Sequence, residues 1–248
     1  MRLQILGCGD AFGSGGRFNT CFHVSPEGSG GRSAFLIDCG ASSLIAMRRF
    51  GVDPNGIDAV FLTHLHGDHF GGLPWLILDA QLVSRRTKPL VIAGPRGTGA
   101  RLAAAMEALF PGSGTAQRAF PVEIVEIAAG LRSEVVGAGV TPFSMSHPSG
   151  APSLGLRIEA GGRTVSYTGD TEWVEDLIPL GREADLMIAE GYTVERPVKF
   201  HLNWATLAAR LPEIRPKRLV LTHMSPEMIA HDPAGRYVAA EDGMVLEI

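Results

Sequence analysis

Residues 63–69 read Thr63-His64-Leu65-His66-Gly67-Asp68-His69, directly after the hydrophobic run Ile57-Asp58-Ala59-Val60-Phe61-Leu62 and before Phe70-Gly71-Gly72-Leu73. The run has the length and composition of a buried strand. The glycines that follow allow a tight loop before a helix begins. In the pattern H-x-H-x-D-H, His64 and His66 can reach one metal ion, and Asp68 and His69 can reach a second beside it. Imidazole nitrogen and carboxylate oxygen suit Zn²⁺, with Mn²⁺ or Fe as less well matched ions. The competing reading is a polar surface turn rich in histidine. It supplies no shared reason for four ligand-type residues at this spacing.

Working outward, Arg2–Leu6 alternates as a first strand, and the Gly-rich segment 7–17 is a loop. Its Gly7-Cys8-Gly9 is not a dinucleotide fingerprint, because the spacing is wrong and no helical pattern follows. Asn19–Val24 and Ala34–Asp38 read as strands joined by a Gly- and Ser-rich turn over Pro26–Arg32. Ala41–Phe50 is helical and ends at Gly51. After the ligand loop, a helix carries Leu73, Trp75, Leu76, Ile77, Leu82 and Val83. Leu90–Ala93 is a strand and Thr98–Phe110 a helix. Pro121–Ile127, Glu134–Val136 and Val140–Met145 are strands. The second half repeats the theme: strands over Ser153–Glu159, Thr164–Thr168, Ala184–Glu190, Arg218–Thr222 and Met244–Ile248, with helices over Trp173–Leu180 and His201–Leu211. Four hydrophobic strands end in His or Asp: before His64, His147, Asp170 and His223. Strand ends of this kind can bring their last residues to one rim of a sheet.

The 248 residues suffice for a large core, and no linker divides them, so residues 1–248 read as a single domain. Apolar residues make up 45% and charged residues 19%, the balance of a globular protein in water. No apolar run reaches the length of a membrane span. The amino-terminal residues enter a strand pattern at once, without the apolar core of a signal peptide, so a cytoplasmic location is expected. Cys8, Cys21 and Cys39 are too few and too scattered for a disulfide framework and read as buried thiols. A net charge of −4 lacks the basic surplus of a dedicated nucleic-acid binder.

Taken together, Asp38, T-H-L-H-G-D-H, His147, Gly169-Asp170-Thr171 and Thr222-His223 resemble, in order, the motifs of the metallo-β-lactamase superfamily of hydrolases. That resemblance implies an α/β fold, a four-layered αββα sandwich built from two similar halves. It also implies two divalent metal ions, zinc first and manganese second. His64, His66 and His147 would hold one; Asp68, His69 and His223 would hold the other; Asp170 would bridge them. A hydroxide between the metals would be the nucleophile, with Asp68 beside it, and Asp38 would order the ligand loop from behind. Taken singly, the members have plainer readings: His147 as a loop histidine, Asp170 as a turn or helix-capping residue, and His223 with no preference either way.

Within that superfamily, Asp170 in place of Cys departs from the classical zinc β-lactamases, and His66 in place of Glu departs from the flavodiiron branch. Ala189-Glu190-Gly191-Tyr192 and His201-Leu202-Asn203-Trp204 are similar to segments of ribonuclease Z and its small phosphodiesterase relatives. There, a Glu and a His deliver a proton to the leaving oxygen, and the matching positions are Glu190 and His201. The alternatives are a strand-end carboxylate and a solvent-facing histidine at a helix start. The chain departs from the tRNA-processing members in two ways. Only 22 residues separate His147 from Asp170, too few for their tRNA-gripping arm, and the flanking H-E-A-T and H-S-T have become Ala-Glu-Gly-Tyr and His-Leu-Asn.

The expected activity is hydrolysis of a small phosphodiester, a small-molecule ester substrate, with large RNA and membrane set aside as partners and a homodimer expected from the relatives. The alternatives are an arylsulfatase, lactonase or thioesterase of the same fold, a tRNA 3′-processing endonuclease, and a non-catalytic metal- or metabolite-binding module. Substrate choice is expected in the loops at 7–18, 26–33, 111–119 and 192–200. An anion contact from Arg196–Lys199 competes there with a solvated charge pair.

Overall fold

A computed structural model describes residues 1–25, 33–231 and 234–248. The turn expected over 26–32 lies outside these residues. The first strands form where alternation and β-branched or aromatic content are strongest: β1 (Arg2–Gly7), β2 (Cys21–Ser25), β3 (Ala34–Ile37), β4 (Ile57–Phe61), β5 (Leu90–Gly94) and β6 (Val122–Glu126). With the late β14 (Val245–Glu247) they make one sheet in the order β14-β1-β2-β3-β4-β5-β6. Strands β7 (Ser133–Val135), β8 (Ala138–Met145), β9 (Ser153–Ala160), β10 (Arg163–Tyr167), β11 (Leu186–Glu190), β12 (Leu219–Thr222) and β13 (Val238–Ala239) make the second, in the order β13-β12-β11-β10-β9-β8-β7. In each sheet antiparallel pairing gives way to a parallel run, β3 to β6 in one and β10 to β13 in the other. The two similar halves expected from the sequence are visible in this repetition.

The inner faces of the two sheets pack on each other. Leu3, Ile5, Phe22, Phe35, Ile37 and Phe61 of the first meet Val140, Leu156, Ile158, Val165, Tyr167, Leu186, Ile188 and Val220 of the second. Phe22 and Tyr167 meet edge-on across the interface, with ring centroids 5.1 Å apart. Full burial of each large aliphatic or aromatic side chain contributes about 1.5–3 kcal/mol. Outside the first sheet lie α1 (Ser43–Arg49), the single turn α2 (Gly67–Phe70), α3 (Leu73–Leu82) and α4 (Thr98–Leu109). They form a second core around Met47, Leu62, Phe70, Leu73 and Ile77. Outside the second sheet, α5 (Leu177–Gly181), α6 (Trp204–Ile214) and α7 (Pro226–Ile229) form a third around Leu180, Met187, Trp204, Leu207 and Leu221. The layers are therefore helix, sheet, sheet, helix.

Two helices begin later than expected, and α7 and β13 were not expected at all. The helix expected over Trp173–Leu180 begins only at Leu177. The residues before it are held by other partners: Glu172 N–H donates to Ser146 O, and Ser144 N–H donates to the Asp176 carboxylate. The helix expected from His201 starts at Trp204, because Asn203 caps it, its Oδ1 accepting from Thr206 N–H at 2.8 Å. His201 is thereby left in the loop before the helix.

Candidate metal centre

Strand ends build the centre. Carboxyl ends of β3, β4, β8, β10, β11 and β12 release, in turn, Asp38, the 63–69 loop, His147, Asp170, the loop after Glu190, and His223. Thr63 O accepts from Leu154 N–H, which joins the ligand loop of one sheet to β9 of the other. Close approach is paid in glycine: a Cβ on Gly40 would lie 2.1 Å from Asp68 O, and one on Gly169 would lie 2.9 Å from Thr63 Cβ. Asp38 and His223 take left-handed backbone angles, φ 57° and 56°, which cost a non-glycine residue roughly 1–2 kcal/mol each. Both are tied in place, Asp38 N–H by Phe61 O and His223 N–H by Cys8 O. Strain of this kind clusters at functional sites.

The sequence-selected residues converge. His64, His66 and His147 each offer a ring nitrogen within 4.8 Å of the others, and so do the ligand-type atoms of Asp68, His69, Asp170 and His223. Asp170 reaches both groups. Its Oδ2 lies 3.9 Å from His64 Nε2 and 3.8 Å from His147 Nε2. On the other side, His69 Nε2 is 3.2 Å from Oδ1 and His223 Nε2 is 3.4 Å from Oδ2. Asp68 Oδ2 stands 3.3 Å from His69 Nε2 and 3.2 Å from His223 Nε2.

Outer partners fix the rings. His69 Nδ1 donates to Asp38 Oδ2 at 2.7 Å, and Thr63 donates both its N–H and its hydroxyl to the same carboxylate at 2.8 Å. Because the Thr63 hydroxyl proton is committed to Asp38, its oxygen accepts from His64 Nδ1 at 3.1 Å. His147 Nδ1 donates to Phe200 O at 3.1 Å, and His223 Nδ1 faces Glu190 Oε1 at 3.3 Å. Each of these four rings turns Nε2 inward. His66 alone turns Nδ1 inward, 3.0 Å from His147 Nε2. A ring nitrogen fixed on a protein acceptor while the opposite nitrogen faces the other candidate ligands is the usual arrangement of metal-ligating histidine.

A metal fits these residues. His64 Nε2, His69 Nε2 and Asp170 Oδ1 are buried with no hydrogen-bond partner among the described residues. Leaving such groups unpaired costs about 1–3 kcal/mol apiece; one cation beside His64 and a second beside His69, with Asp170 between them, would satisfy all three. The donor set of imidazole and carboxylate is that of zinc and its neighbours.

Burial and the neighbouring charges together set the protonation of these side chains. Burial opposes charge on His223, but the Asp170 charge and the bonds from Asp68 and Glu190 outweigh it and push its pKa up to about 10. Burial opposes charge on His69 too, and Asp170, Asp68 and Asp38 raise it well above the usual histidine range. His64 moves the other way, held neutral by burial and by the charge on His69. Burial and the neighbouring His147 lower His66 likewise. Burial disfavours the charged carboxyl of Asp170, yet His223 and His69 hold it well below the usual carboxylate range.

Glu190 and His201 form the other side of the centre. Glu190 is buried; its Oε2 accepts from Thr171 N–H at 2.9 Å and from Leu202 N–H at 3.2 Å. Its Oε1 takes His201 Nδ1 at 2.5 Å, which leaves His201 Nε2 as the exposed edge of a side chain 21% exposed. Burial disfavours the imidazolium, but the bond and charge of Glu190 raise its pKa above the usual value. The His201 ring stacks parallel to His223 at 5.9 Å, and Tyr192 lies against it at 4.8 Å. A cavity of about 290 Å³ adjoins His201, lined also by Glu172, Trp173, Lys199 and Thr206. Arg196 pairs with Glu227 at 3.8 Å, and Lys199 lies over the Phe200 ring, so both cations of the 196–199 segment have protein partners. Tyr192, Glu172 and Phe200 were not singled out from the sequence. Tyr192 follows Glu190-Gly191 at a strand end; Glu172 and Phe200 give no signal outside the folded chain.

Comparison with known proteins agrees with this geometry. A family profile described as "Beta-lactamase superfamily domain" matches residues 33–224. Ribonuclease Z of Methanosarcina acetivorans is 26% identical over 311 aligned positions, which take in 100% of this chain and 98% of that protein. Since this chain has 248 residues, the relative carries dozens of residues with no counterpart here. Among solved structures, the short form of human tRNase Z matches with a TM-score of 0.77 and 27% identity, covering 100% of this chain and 99% of the other. The metallo-β-lactamase fold protein YhfI from Bacillus subtilis matches with a TM-score of 0.79 at 22% identity, over 99% of this chain and 98% of the other, a likeness of fold.

Proposed function

The chain belongs to the β-lactamase superfamily, as a ribonuclease Z-like metal-dependent hydrolase, and on that premise we propose that it cleaves a small phosphodiester at a centre of two divalent ions. His64, His66 and His147 would hold one ion, Asp68, His69 and His223 the other, and Asp170 both. The ions, zinc in the first instance, would supply Lewis acidity toward water and toward the phosphoryl oxygens. The observation that carries the reading is the fixed outer nitrogen of the rings of His64, His69 and His147, each with its other nitrogen facing Asp170.

The remaining steps belong to side chains. Glu190 holds His201 by Nδ1 and favours its charged form, so Nε2–H is the proton at hand for a leaving alkoxide. Asp68, 3.3 Å from His69 and 3.2 Å from His223, would ligate and accept a proton from the attacking water. Tyr192 and His223 flank the His201 ring and restrict its rotation. The cavity beside His201 is the place for the leaving group. A short 148–169 interval and a net charge of −4 support a small substrate over a folded RNA, whose affinity would rest on phosphate contacts by cations.

The names of the relatives favour a second reading, processing of a tRNA 3′ end. One experiment separates the two. Metal-loaded protein is assayed on bis-p-nitrophenyl phosphate, on 2′,3′-cyclic nucleotides and cyclic sugar phosphates, and on a precursor tRNA with a 3′ trailer. Turnover of the small esters without cleavage of the precursor is the expected outcome. Efficient precursor cleavage would replace the proposal by the second reading, and hydrolysis confined to sulfate, lactone or thioester substrates would replace both.

A further inference from the structure

We propose that Glu172 is a positioning residue that sets His147 and His201 as one unit, acting through the backbone of Phe200. The inference rests on the reading of His147 as a ligand and His201 as a proton donor.

The carboxylate of Glu172 spans two loops. Its Oε1 accepts from Ser146 Oγ at 2.7 Å, and its Oε2 accepts from Phe200 N–H at 3.3 Å. Ser146 is the residue before His147, and Phe200 the residue before His201. Glu172 N–H also donates to Ser146 O at 3.3 Å, and Thr171 Oγ1 receives Ser146 N–H at 3.0 Å, so the 171–172 backbone grips the same loop. Phe200 O in turn receives His147 Nδ1 at 3.1 Å. Both backbone polar groups of Phe200 are thus committed, the N–H to Glu172 and the carbonyl to His147. The two imidazoles they serve lie with centroids 5.1 Å apart.

Phe200 also stands at φ 67°, in the left-handed region that a phenylalanine adopts only under constraint. Among the described residues, Glu172 is the side chain bonded to that backbone N–H. Without it, the turn rests on the bond from His201 N–H to Val198 O at 3.0 Å and on His147 at the Phe200 carbonyl, and relaxation toward negative φ is less opposed. Such a rotation carries the Phe200 carbonyl away from His147 Nδ1 and moves His201 with it. One carboxylate therefore holds a ligand ring and a proton-donor ring in register, although it touches neither.

The test uses Glu172→Ala, Glu172→Gln and the double variant Glu172→Ala/Phe200→Gly in the full chain. Zinc affinity is read on the metal-free protein by competition with a chromophoric chelator. The kcat and KM of the loaded enzyme are read on p-nitrophenyl and alkyl phosphodiesters. Glu172→Ala is expected to weaken the affinity for one zinc by about 10–100-fold, the range for outer-shell partners of metal ligands. It should also lower kcat more for alkyl than for p-nitrophenyl esters, with KM little changed. Glu172→Gln keeps one acceptor oxygen and should fall between. Glycine at 200 removes the constraint on φ and should restore part of the zinc affinity lost in Glu172→Ala. Wild-type zinc affinity in Glu172→Ala would overturn the inference, as would a double variant weaker than the single one. Should Glu172→Ala fail to fold, Ser146→Ala removes one of the bridging bonds and should show the same signature at smaller amplitude, unaltered zinc affinity there again counting against it. If the wild-type chain hydrolyses no phosphodiester, the proposed function fails while the zinc titrations still decide this point.

Discussion

His201→Ala removes one imidazole whose inner nitrogen is held by Glu190 Oε1 at 2.5 Å and whose outer nitrogen faces the site. A positioned general acid contributes roughly 10²–10⁴-fold when the leaving oxygen is a poor leaving group, about 2.7–5.5 kcal/mol of barrier. The full factor is expected for alkyl phosphodiesters, whose alkoxide must be protonated as it departs. For p-nitrophenolate, which departs readily as an anion, the loss should be about tenfold or less. Zinc content should stay at the wild-type value, since the variant leaves untouched the rings fixed on Asp38, Thr63 and Phe200. The pH dependence adds a second readout. Glu190 raises the pKa of His201, so the acid stays protonated to higher pH than a free histidine, and activity is lost as pH rises through that raised value. Glu190→Gln takes away the charge and should bring the alkaline limb of kcat to lower pH. The assay is a series of methyl phosphate esters with graded leaving groups, run from pH 6 to pH 10. Equal loss across the series in His201→Ala, or an unmoved alkaline limb in Glu190→Gln, would refute the assignment of a proton donor.

Further consequences concern the supports of the centre. Asp38→Asn puts an amide N–H opposite donors, the Thr63 hydroxyl or His69 Nδ1; it should cost about 1–3 kcal/mol of stability and weaken metal binding about 10–100-fold, read by thermal melts and zinc titration. Gly40→Ala would force a methyl group to 2.1 Å from Asp68 O, so a loss of about 3 kcal/mol and displacement of the ligand loop are expected; an unchanged melting temperature would contradict the close approach. In the metal-free protein His223 has a folded pKa near 10 against an ordinary value of 6.5. Its protonation therefore stabilises the fold fully below pH 6.5, and that contribution is lost as pH rises through 10. Chelated protein should lose stability over that window more steeply than loaded protein, and zinc uptake near pH 8 should release protons, measurable by calorimetry in buffers of different ionisation enthalpy.

Much of the candidate centre was legible in the chain because the residues proposed as ligands sit where strand periodicity breaks. His64, His147, Asp170 and His223 each follow a hydrophobic run, and one rim of a two-sheet sandwich gathers them. Strand positions were legible for the same reason, since alternation and β-branched content decide them locally. Less legible was the segment 172–176. Its composition favours a helix, but its polar groups find better partners on the end of β8, among them Ser144 and Ser146. His201 likewise sits in a helical pattern, and the Asn203 cap excludes it from the helix. The roles of Tyr192, Phe200 and Glu172 depend on contacts between loops far apart in sequence, which no local pattern records. No described helix is long and apolar enough to cross a membrane.

The proposed function requires two metal ions that share Asp170. Its most direct test is elemental analysis of wild type and Asp170→Ala, each reconstituted and desalted, beside hydrolysis of bis-p-nitrophenyl phosphate. Two metals per wild-type chain with turnover, and loss of metal and of turnover together in Asp170→Ala, is the predicted result. A wild-type chain that binds no metal after reconstitution, or an Asp170→Ala variant with full metal content and undiminished hydrolysis, would contradict it.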